Sequence, residues 1–268
     1  MAGSSGLIGT HLAQALAERG DEVLRLPRFM SAPWSLQGAE VAVNLAGAGI
    51  AARRWSAAYK KEIRDSRVLT TRALVELGPR VLINASAVGF YGARGDESLD
   101  ENAAPGTDFL SSVVKEWEAE AARAPGRSVQ LRTGVALSAT GGALAQMLPP
   151  FKAFVGGPIG SGKQWFPWIH VADEVAAILW CIDRESITGP VNLVSPGIVT
   201  MKEFAAALGR ALHRPSLLPV PAAALRIALG EVAEVLATGQ RAVPRKLLDS
   251  GFQFRFSELD TALRDLLG

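Results

Sequence analysis

Met1-Ala2-Gly3-Ser4-Ser5-Gly6-Leu7-Ile8-Gly9-Thr10-His11-Leu12 opens the chain. Its glycines fall as G-x-x-G-x-x-G and run into a segment where Ile8, Leu12, Ala15 and Leu16 share one helical face. A glycine-rich turn that opens a helix is a seat for a pyrophosphate. Glycine lets the backbone turn tightly and approach a ligand with no Cβ between them. The helix start adds unpaired N–H groups and the positive end of the macrodipole. Three spaced glycines alone also fit an ordinary turn, so the rest of the chain must decide.

Such a loop ordinarily follows a buried strand of about five residues, and here Met1 and Ala2 precede Gly3. In a doubly wound sheet that strand lies centrally, and its loss exposes two unpaired edges. The expectation is a first strand cut short, with the natural polypeptide starting several apolar residues upstream.

The 268 residues are 49% hydrophobic and 20% charged, enough for a large core. A net charge of +2, with no basic run interleaved with aromatics, argues against nucleic acid as a partner. The apolar runs are too short and too interrupted for a membrane span, and the start carries no signal-peptide pattern. Cys181 is the only cysteine, so it forms no disulfide within the chain and reads as buried filler, which suits a reducing cytoplasm. His11, His170 and His213 are scattered, and no metal-ligand spacing is present.

Past the first helix, Glu22–Leu26 reads as a short strand with Arg28 just beyond it. An acidic residue there suits a ribose 2′-hydroxyl, whereas an arginine suits a 2′-phosphate; a solvated loop arginine is the alternative. Residues 41–47 form a continuous apolar run closed by small residues, as a buried parallel strand does. Ser56 is placed to cap a helix through about Leu77 with Tyr59, Ile63, Ser66, Thr70 and Leu74 along one side. Glu62 and Arg67 lie on or near that side, within reach of a cofactor, with a solvated ion pair as the default. Residues 81–86 form the next strand, followed by a helix from about Asp108 to Ala124 and a strand at 129–133. Helix 173–183, strand 191–194, a Thr200/Glu203 capping box and a helix at 257–267 complete the reading. Residues 215–221 read as a linker, and a helix pair should follow it.

The alternation predicts an α/β fold: a doubly wound parallel, Rossmann-like sheet with a smaller, mostly helical C-terminal part. Residues 1–140, with 171–195 packing back, form the dinucleotide-binding part; 141–170 and 196–268 form the substrate part. Gly157-Pro158-Ile159-Gly160-Ser161-Gly162-Lys163-Gln164 nearly spells a nucleotide-triphosphate loop. Gln164 replaces the hydroxyl that holds Mg²⁺, and Phe166-Pro167-Trp168 stands where a helix must begin. The stretch reads instead as a mobile loop over a cleft, with Phe90, Trp165 and Trp168 lining it.

Asn44-Leu45-Ala46-Gly47, Ser86-Ala87-Val88-Gly89-Phe90-Tyr91-Gly92, Trp117-Glu118, Arg132-Thr133-Gly134-Val135, Trp168-Ile169-His170 and Asp173 recur in order after the opening glycines. With Gln240-Arg241, Pro244, Leu247 and Gly251-Phe252, the chain resembles the extended short-chain dehydrogenase/reductase superfamily. It is most similar to the epimerase family protein branch of the NAD(P)-dependent epimerase/dehydratase group, which has its own C-terminal segment. The resemblance implies NADP as cofactor, with NADPH preferred over NADH. It places Gly3, Gly6, Leu7, Ile8 and Gly9 around the phosphates and Arg28 at the 2′-phosphate. Leu45, Ala46 and Gly47 then surround the adenosine and ribose, and Glu62, Arg67, Ala85, Ser86 and Ala136 make further contacts. Ser86 takes the place of the active-site hydroxyl beside the nicotinamide.

The chain also departs from that pattern. Members with full chemistry carry Tyr-x-x-x-Lys, in which the lysine lowers the tyrosine pKa for proton transfer. Here Tyr59 is followed four residues on by Ile63, and Tyr91 by Gly95. The Phe109-Leu110 region supplies no hydroxyl, and Val113-Val114 no amine. Tyr91, Lys115 and His170 are the candidate substitutes beside Ser86. The run from Phe29 to Glu40 is also short for a strand and helix. Two readings follow. One is an atypical oxidoreductase or epimerase; the other is a non-catalytic NADP(H) sensor that passes its occupancy to a protein partner. In either, the cleft is expected to take a small-molecule substrate or effector.

Overall fold

A computed structural model describes residues 1–29, 31–216, 218–221, 225–227 and 230–268, with Leu236 described by its backbone alone. In chain order the elements are α1 (Leu7–Arg19), β1 (Val41–Asn44), α2 (Ala57–Glu76), β2 (Val81–Ala87), β3 (Ser98–Leu99), α3 (Phe109–Ala121), β4 (Arg127–Thr133) and β5 (Val135–Leu137). They continue with α4 (Gly142–Lys152), β6 (Trp165–Phe166), β7 (Trp168–His170), α5 (Val171–Asp183), β8 (Gly189–Leu193), β9 (Val199–Thr200) and α6 (Met201–Leu212). The tail holds α7 (Val232–Ala237), β10 (Arg241–Ala242), α8 (Arg245–Asp249) and α9 (Leu259–Leu267).

The main sheet runs β1-β2-β4-β8, and every neighbouring pair is parallel. Its strands are largely buried because both faces are covered, with Asn44, Asn84, Gln130, Arg132 and Asn192 as buried polar positions among the apolar ones. Leu12 and Leu16 of α1 and Val175 and Ile178 of α5 pack with Val43, Ile83, Leu131 and Val191 on one face. Leu74 of α2 and Ala121 of α3 meet Ala42 and Leu82 on the other. A second apolar cluster joins Leu144, Trp168, Phe204, Leu208 and Leu263, drawn from the excursion after β4 and from the tail. Asp173, in the first turn of α5, ties the tail down by accepting from the N–H groups of Arg255 and Phe256, both at 2.9 Å.

Helix starts follow local chemistry. The Ser56 hydroxyl accepts from Tyr59 N–H at 3.1 Å and the Asp108 carboxylate from Ser111 N–H at 2.8 Å. Thr200 and Glu203 form the expected reciprocal box. Such caps are each worth about 1 kcal/mol. By contrast, α1 and α4 begin on Gly6 and Gly141 with no side-chain cap, which leaves their first N–H groups free of side-chain partners.

Four expectations are corrected. Residues 22–26 run extended but form no strand, because only Met1 stands beside them: Met1 N–H donates to Leu24 O at 2.6 Å and Leu26 N–H to Met1 O at 2.9 Å. Helix α5 starts two residues earlier than expected, since His170 Nδ1 accepts from Ala172 N–H at 3.0 Å and acts as its cap. Trp168 is a core residue, 1% exposed, with its indole N–H on Gly197 O. The stretch 157–164 is tethered rather than free: Gly160 N–H bonds Val220 O, and Lys202 N–H bonds Gly162 O. Of the expected linker, Leu217 lies outside the described residues, as do Ala222–Ala224, Ala228 and Leu229 of the helix pair beyond it.

Candidate functional site

Met1 and Ala2 lie between residues 22–26 and β1, with Ala2 N–H on Val43 O at 2.9 Å and Leu45 N–H on Ala2 O at 3.0 Å. The chain leaves this point to one side for 22–26 and returns on the other as β1, so Gly3 sits at the topological switch point of the sheet. That is where open α/β sheets bind ligands. Gly3 has φ +75°, and a Cβ on it would stand 2.5 Å from the Leu45 carbonyl carbon. A Cβ on Gly9 would stand 2.2 Å from Gly3 O. The spacing of the glycines therefore folds the loop flat beneath the start of α1. Gly6, Leu7 and Ile8 are left partly or fully exposed there.

The opposite wall is the turn after β1, fixed by a neutral polar network. Asn44 Nδ2–H donates to Asn84 Oδ1 at 2.8 Å and to Thr71 Oγ1 at 2.9 Å. Trp117 Nε1–H reaches the same Thr71 oxygen at 2.8 Å, and Asn44 Oδ1 accepts from Ala46 N–H at 3.2 Å. Leu45, Ala46 and Gly47 are thus held facing the glycine loop. A Cβ on Gly47 would lie 3.1 Å from the Arg67 guanidinium carbon. Arg67 donates to the carbonyls of Ala48 and Ile63, lies 5.2 Å from the Trp117 ring and pairs with no carboxylate among the described residues. Burial lowers its pKa to about 10. Glu62 instead faces Arg53 at 3.4 Å.

Arg28 is exposed two residues past Leu26 and forms no ion pair among the described residues. Gly141 and Gly142 bring the start of α4 against Leu7, and Ala136 O lies 3.5 Å from the Cβ position of Gly142. Two helix starts without side-chain caps therefore meet beside the glycine loop. Their first N–H groups and dipoles, with Arg67 beside Gly47, suit an anion flanked by flat rings.

Of the three catalytic candidates, Ser86 and Tyr91 are joined through Glu118 and Arg132, and Lys115 stands apart from them on α3. Ser86 is 5% exposed, and its hydroxyl donates to Glu118 Oε1 at 2.5 Å. Glu118 is clamped by Arg132 through two bonds, both at 2.8 Å. Tyr91 is fully buried; its hydroxyl donates to Asn192 Oδ1 at 2.6 Å and accepts from Arg132 at 3.0 Å. Burial pushes the Tyr91 pKa up to about 12, the wrong direction for a proton shuttle. Lys115 is exposed on α3 with no ion pair among the described residues. His170 stacks on Phe256 with ring centroids 3.9 Å apart, besides capping α5. Phe90 lies beneath the Arg132 guanidinium, 3.5 Å from ring centroid to carbon, and Trp165 bonds Asp96.

Sequence reading did not anticipate the Ser86–Glu118–Arg132–Tyr91–Asn192 network or the Asn44–Thr71–Asn84–Trp117 network. The visible signal was polar residues at inward positions of apolar strands, where a buried polar group requires partners.

A parallel sheet with a glycine cradle at its switch point and a half-buried arginine facing it defines a Rossmann-like protein of the dinucleotide-binding kind. The chain belongs to the NAD dependent epimerase/dehydratase family, whose pattern matches residues 1–193, and residues 220–266 match a domain of unknown function (DUF1731). The epimerase family protein Mb2239 of Mycobacterium bovis is 43% identical, over 98% of this chain and 95% of its own length. The mouse epimerase family protein SDR39U1 is 40% identical, over 99% of this chain and 98% of its own. Both alignments, over 286 and 287 positions, are longer than this 268-residue chain, so both relatives carry internal residues that it lacks. The crystal structure of human epimerase family protein SDR39U1 with NADPH superposes with a TM-score of 0.92 at 36% identity, covering 99% of this chain and 97% of that one. Among the described residues no helix is long and apolar enough to cross a membrane.

Proposed function

We propose that this protein binds NADP(H) in the groove between Gly3–Gly9 and Leu45–Gly47, and serves as an atypical oxidoreductase or epimerase on a small-molecule substrate. The observation that carries the reading is the Gly3/Gly9 cradle under an uncapped α1, where any Cβ would close the space. The NADPH in the human relative's structure supports the choice of cofactor. The free N–H groups at Leu7 and Ile8 hold the pyrophosphate, Arg28 takes the 2′-phosphate, and Arg67 with Leu45–Gly47 borders the adenosine side. When bound, the nicotinamide supplies hydride-transfer chemistry. The chain's own part is to orient the ring against the ends of β2 and β4, near Ala85, Ser86 and Ala136.

A second reading has its own support. Tyr91 and Ser86 spend their hydroxyls on buried partners, and α3 offers Leu110 and Val114 where a Tyr/Lys pair would stand. That arrangement suits a non-catalytic protein that binds NADP(H) and passes its occupancy to a protein partner.

Fluorescence titration tests the shared claim: NADPH should bind at micromolar levels and at least tenfold more tightly than NADH. No binding of either at millimolar concentration would overturn both readings. Isotope exchange at the nicotinamide C4 across a panel of carbonyl and hydroxyl compounds separates them. Exchange with any compound supports the enzyme, and none supports the sensor.

A further inference from the structure

The buried network at the carboxyl ends of β2 and β4 has a direction. The Ser86 hydroxyl donates to Glu118 Oε1 at 2.5 Å. Arg132 donates to both Glu118 oxygens, Nε–H to Oε1 and Nη2–H to Oε2, each at 2.8 Å. With these donors on it, the Glu118 carboxylate acts as an acceptor alone, and the fork of the guanidinium fixes its plane. The hydrogen of Ser86 is therefore held on the Glu118 side. Its lone pairs are not spent, since no donor reaches Ser86 Oγ among the described residues.

Glu118 owes its place to the period of α3. Leu110, Val114 and Glu118 are spaced four apart and form one line along the helix. Leu110 Cβ lies 3.9 Å from the Cβ position of Gly89, and Val114 joins the cluster of Phe90 and Tyr91. The line therefore runs along residues 86–91, and its third member lands on Ser86. Leu110 and Val114 have no group that takes a proton, which leaves Glu118 as the proton-accepting member of the line. Its side chain keeps 12% of its surface exposed, against 3% for Arg132, so a proton held there has a way out to water.

We propose that Glu118 is the positioning residue and proton acceptor behind Ser86, so that the substrate group read beside the nicotinamide is a hydroxyl rather than a carbonyl. On the oxidoreductase reading, which this extends and rests on, a substrate alcohol donates to Ser86 Oγ. Its C–H hydrogen leaves with the bonding electron pair for the oxidised nicotinamide nucleotide. Its O–H proton passes to Ser86 Oγ as the Ser86 proton passes to Glu118 Oε1. One C–H and one O–H bond break, a C=O bond forms, the nucleotide is reduced, and one proton is left on Glu118 for release to water. Arg132 keeps its charge throughout and holds the carboxyl group turned to Ser86. A ketone in the same place sets lone pairs against lone pairs while Glu118 holds the Ser86 hydrogen.

The test reads binding first, with the protein saturated in NADP⁺. Tertiary alcohols, which have no carbinol hydrogen to give up, are compared with ketones of similar shape by ligand-observed NMR: tert-amyl alcohol with butanone, and dimethylphenylcarbinol with acetophenone. Each alcohol should bind about tenfold more tightly than its ketone. Ser86→Ala, which leaves the Glu118–Arg132 pair in place, should erase the preference. Glu118→Leu combined with Arg132→Met frees the Ser86 hydrogen and should erase it too. A ketone bound as tightly as its alcohol, no binding of any of the four at tens of millimolar, or a preference that survives the double variant would overturn the proposal. Deuterium transfer from carbinol-deuterated secondary alcohols is the second measurement. Glu118→Gln keeps an oxygen for Ser86 but takes no proton, so it should slow transfer roughly 100-fold while alcohol affinity stays within about twofold. Unslowed transfer would overturn the part given to Glu118. No transfer in the unsubstituted protein would remove the oxidoreductase reading and the proton step with it, while the binding comparison still decides which way Ser86 is polarised.

Discussion

The two ends of the parallel sheet are built on opposite terms. At the carboxyl end, the space beside Gly3 and Gly9 is shaped by what is missing from the side chains, and the backbone around it is fully specified. Asn44, Thr71, Asn84 and Trp117 saturate one another in fixed positions. At the amino end, a cavity of about 760 Å³ between residues 22–24 and β1 joins apolar walls from Leu16, Leu74 and Ile182 to a charged rim that includes Arg19, Glu40 and Arg127. Absence of a Cβ makes a ligand site only where the surrounding hydrogen bonds are complete.

The largest effect is expected where the carboxyl end is held together by charge. Arg132→Leu should cost about 3–5 kcal/mol in chemical denaturation, because it strands Glu118 beneath Ser86. Arg132→Met combined with Glu118→Leu should recover most of that loss; if the double variant is no better, the pair is not what holds this region. Next comes the cradle. Gly9→Ala sets a methyl 2.2 Å from Gly3 O and should weaken NADPH binding about 100-fold, roughly 2–3 kcal/mol, with a smaller change in thermal stability. Equal affinity in that variant would contradict the placement of the pyrophosphate.

A smaller effect separates the two nucleotides. Arg28→Glu should lower NADPH affinity about tenfold and leave NADH unchanged, erasing the preference. A loss for both would move Arg28 away from the 2′-phosphate. A pH-dependent effect belongs to the interior between the two ends. Glu174 is fully buried with one hydroxyl donor, Thr133 at 2.8 Å, and burial raises its pKa to about 8 from 4.5. The folded carboxyl keeps a proton that the unfolded one releases. The stability it contributes is therefore fully present below pH 4.5, lost as pH rises to about 8, and constant above that. Glu174→Gln should flatten this decline, seen as a urea midpoint that changes less between pH 5 and pH 8.

Much of this was legible from neighbouring residues. The glycines at 3, 6 and 9, the caps at Ser56 and Asp108 and the Thr200/Glu203 box act within a few positions, so their spacing carries their meaning. The poor fit of Gln164 to a triphosphate loop was readable in the same way. What escaped the sequence depends on distant partners. Tyr91 looked available until Asn192, a hundred residues on, took its hydroxyl, and Trp168 looked like cleft lining until the tail covered it. Residues 22–26 have a strand's composition, but a strand is made by its neighbour's backbone, and only Met1 and Ala2 stand alongside.

The order of the sheet has a consequence for where the chain can vary in length. Strands β4 and β8 are adjacent, yet the chain between them leaves to build β5, α4 and β7 before returning through α5. An excursion anchored at both ends on one rigid platform can be lengthened at an entropic cost that grows only logarithmically. The platform and its passenger are thus separable. A change in the length of the excursion is taken up away from the glycine turn, which β1 holds through Ala2.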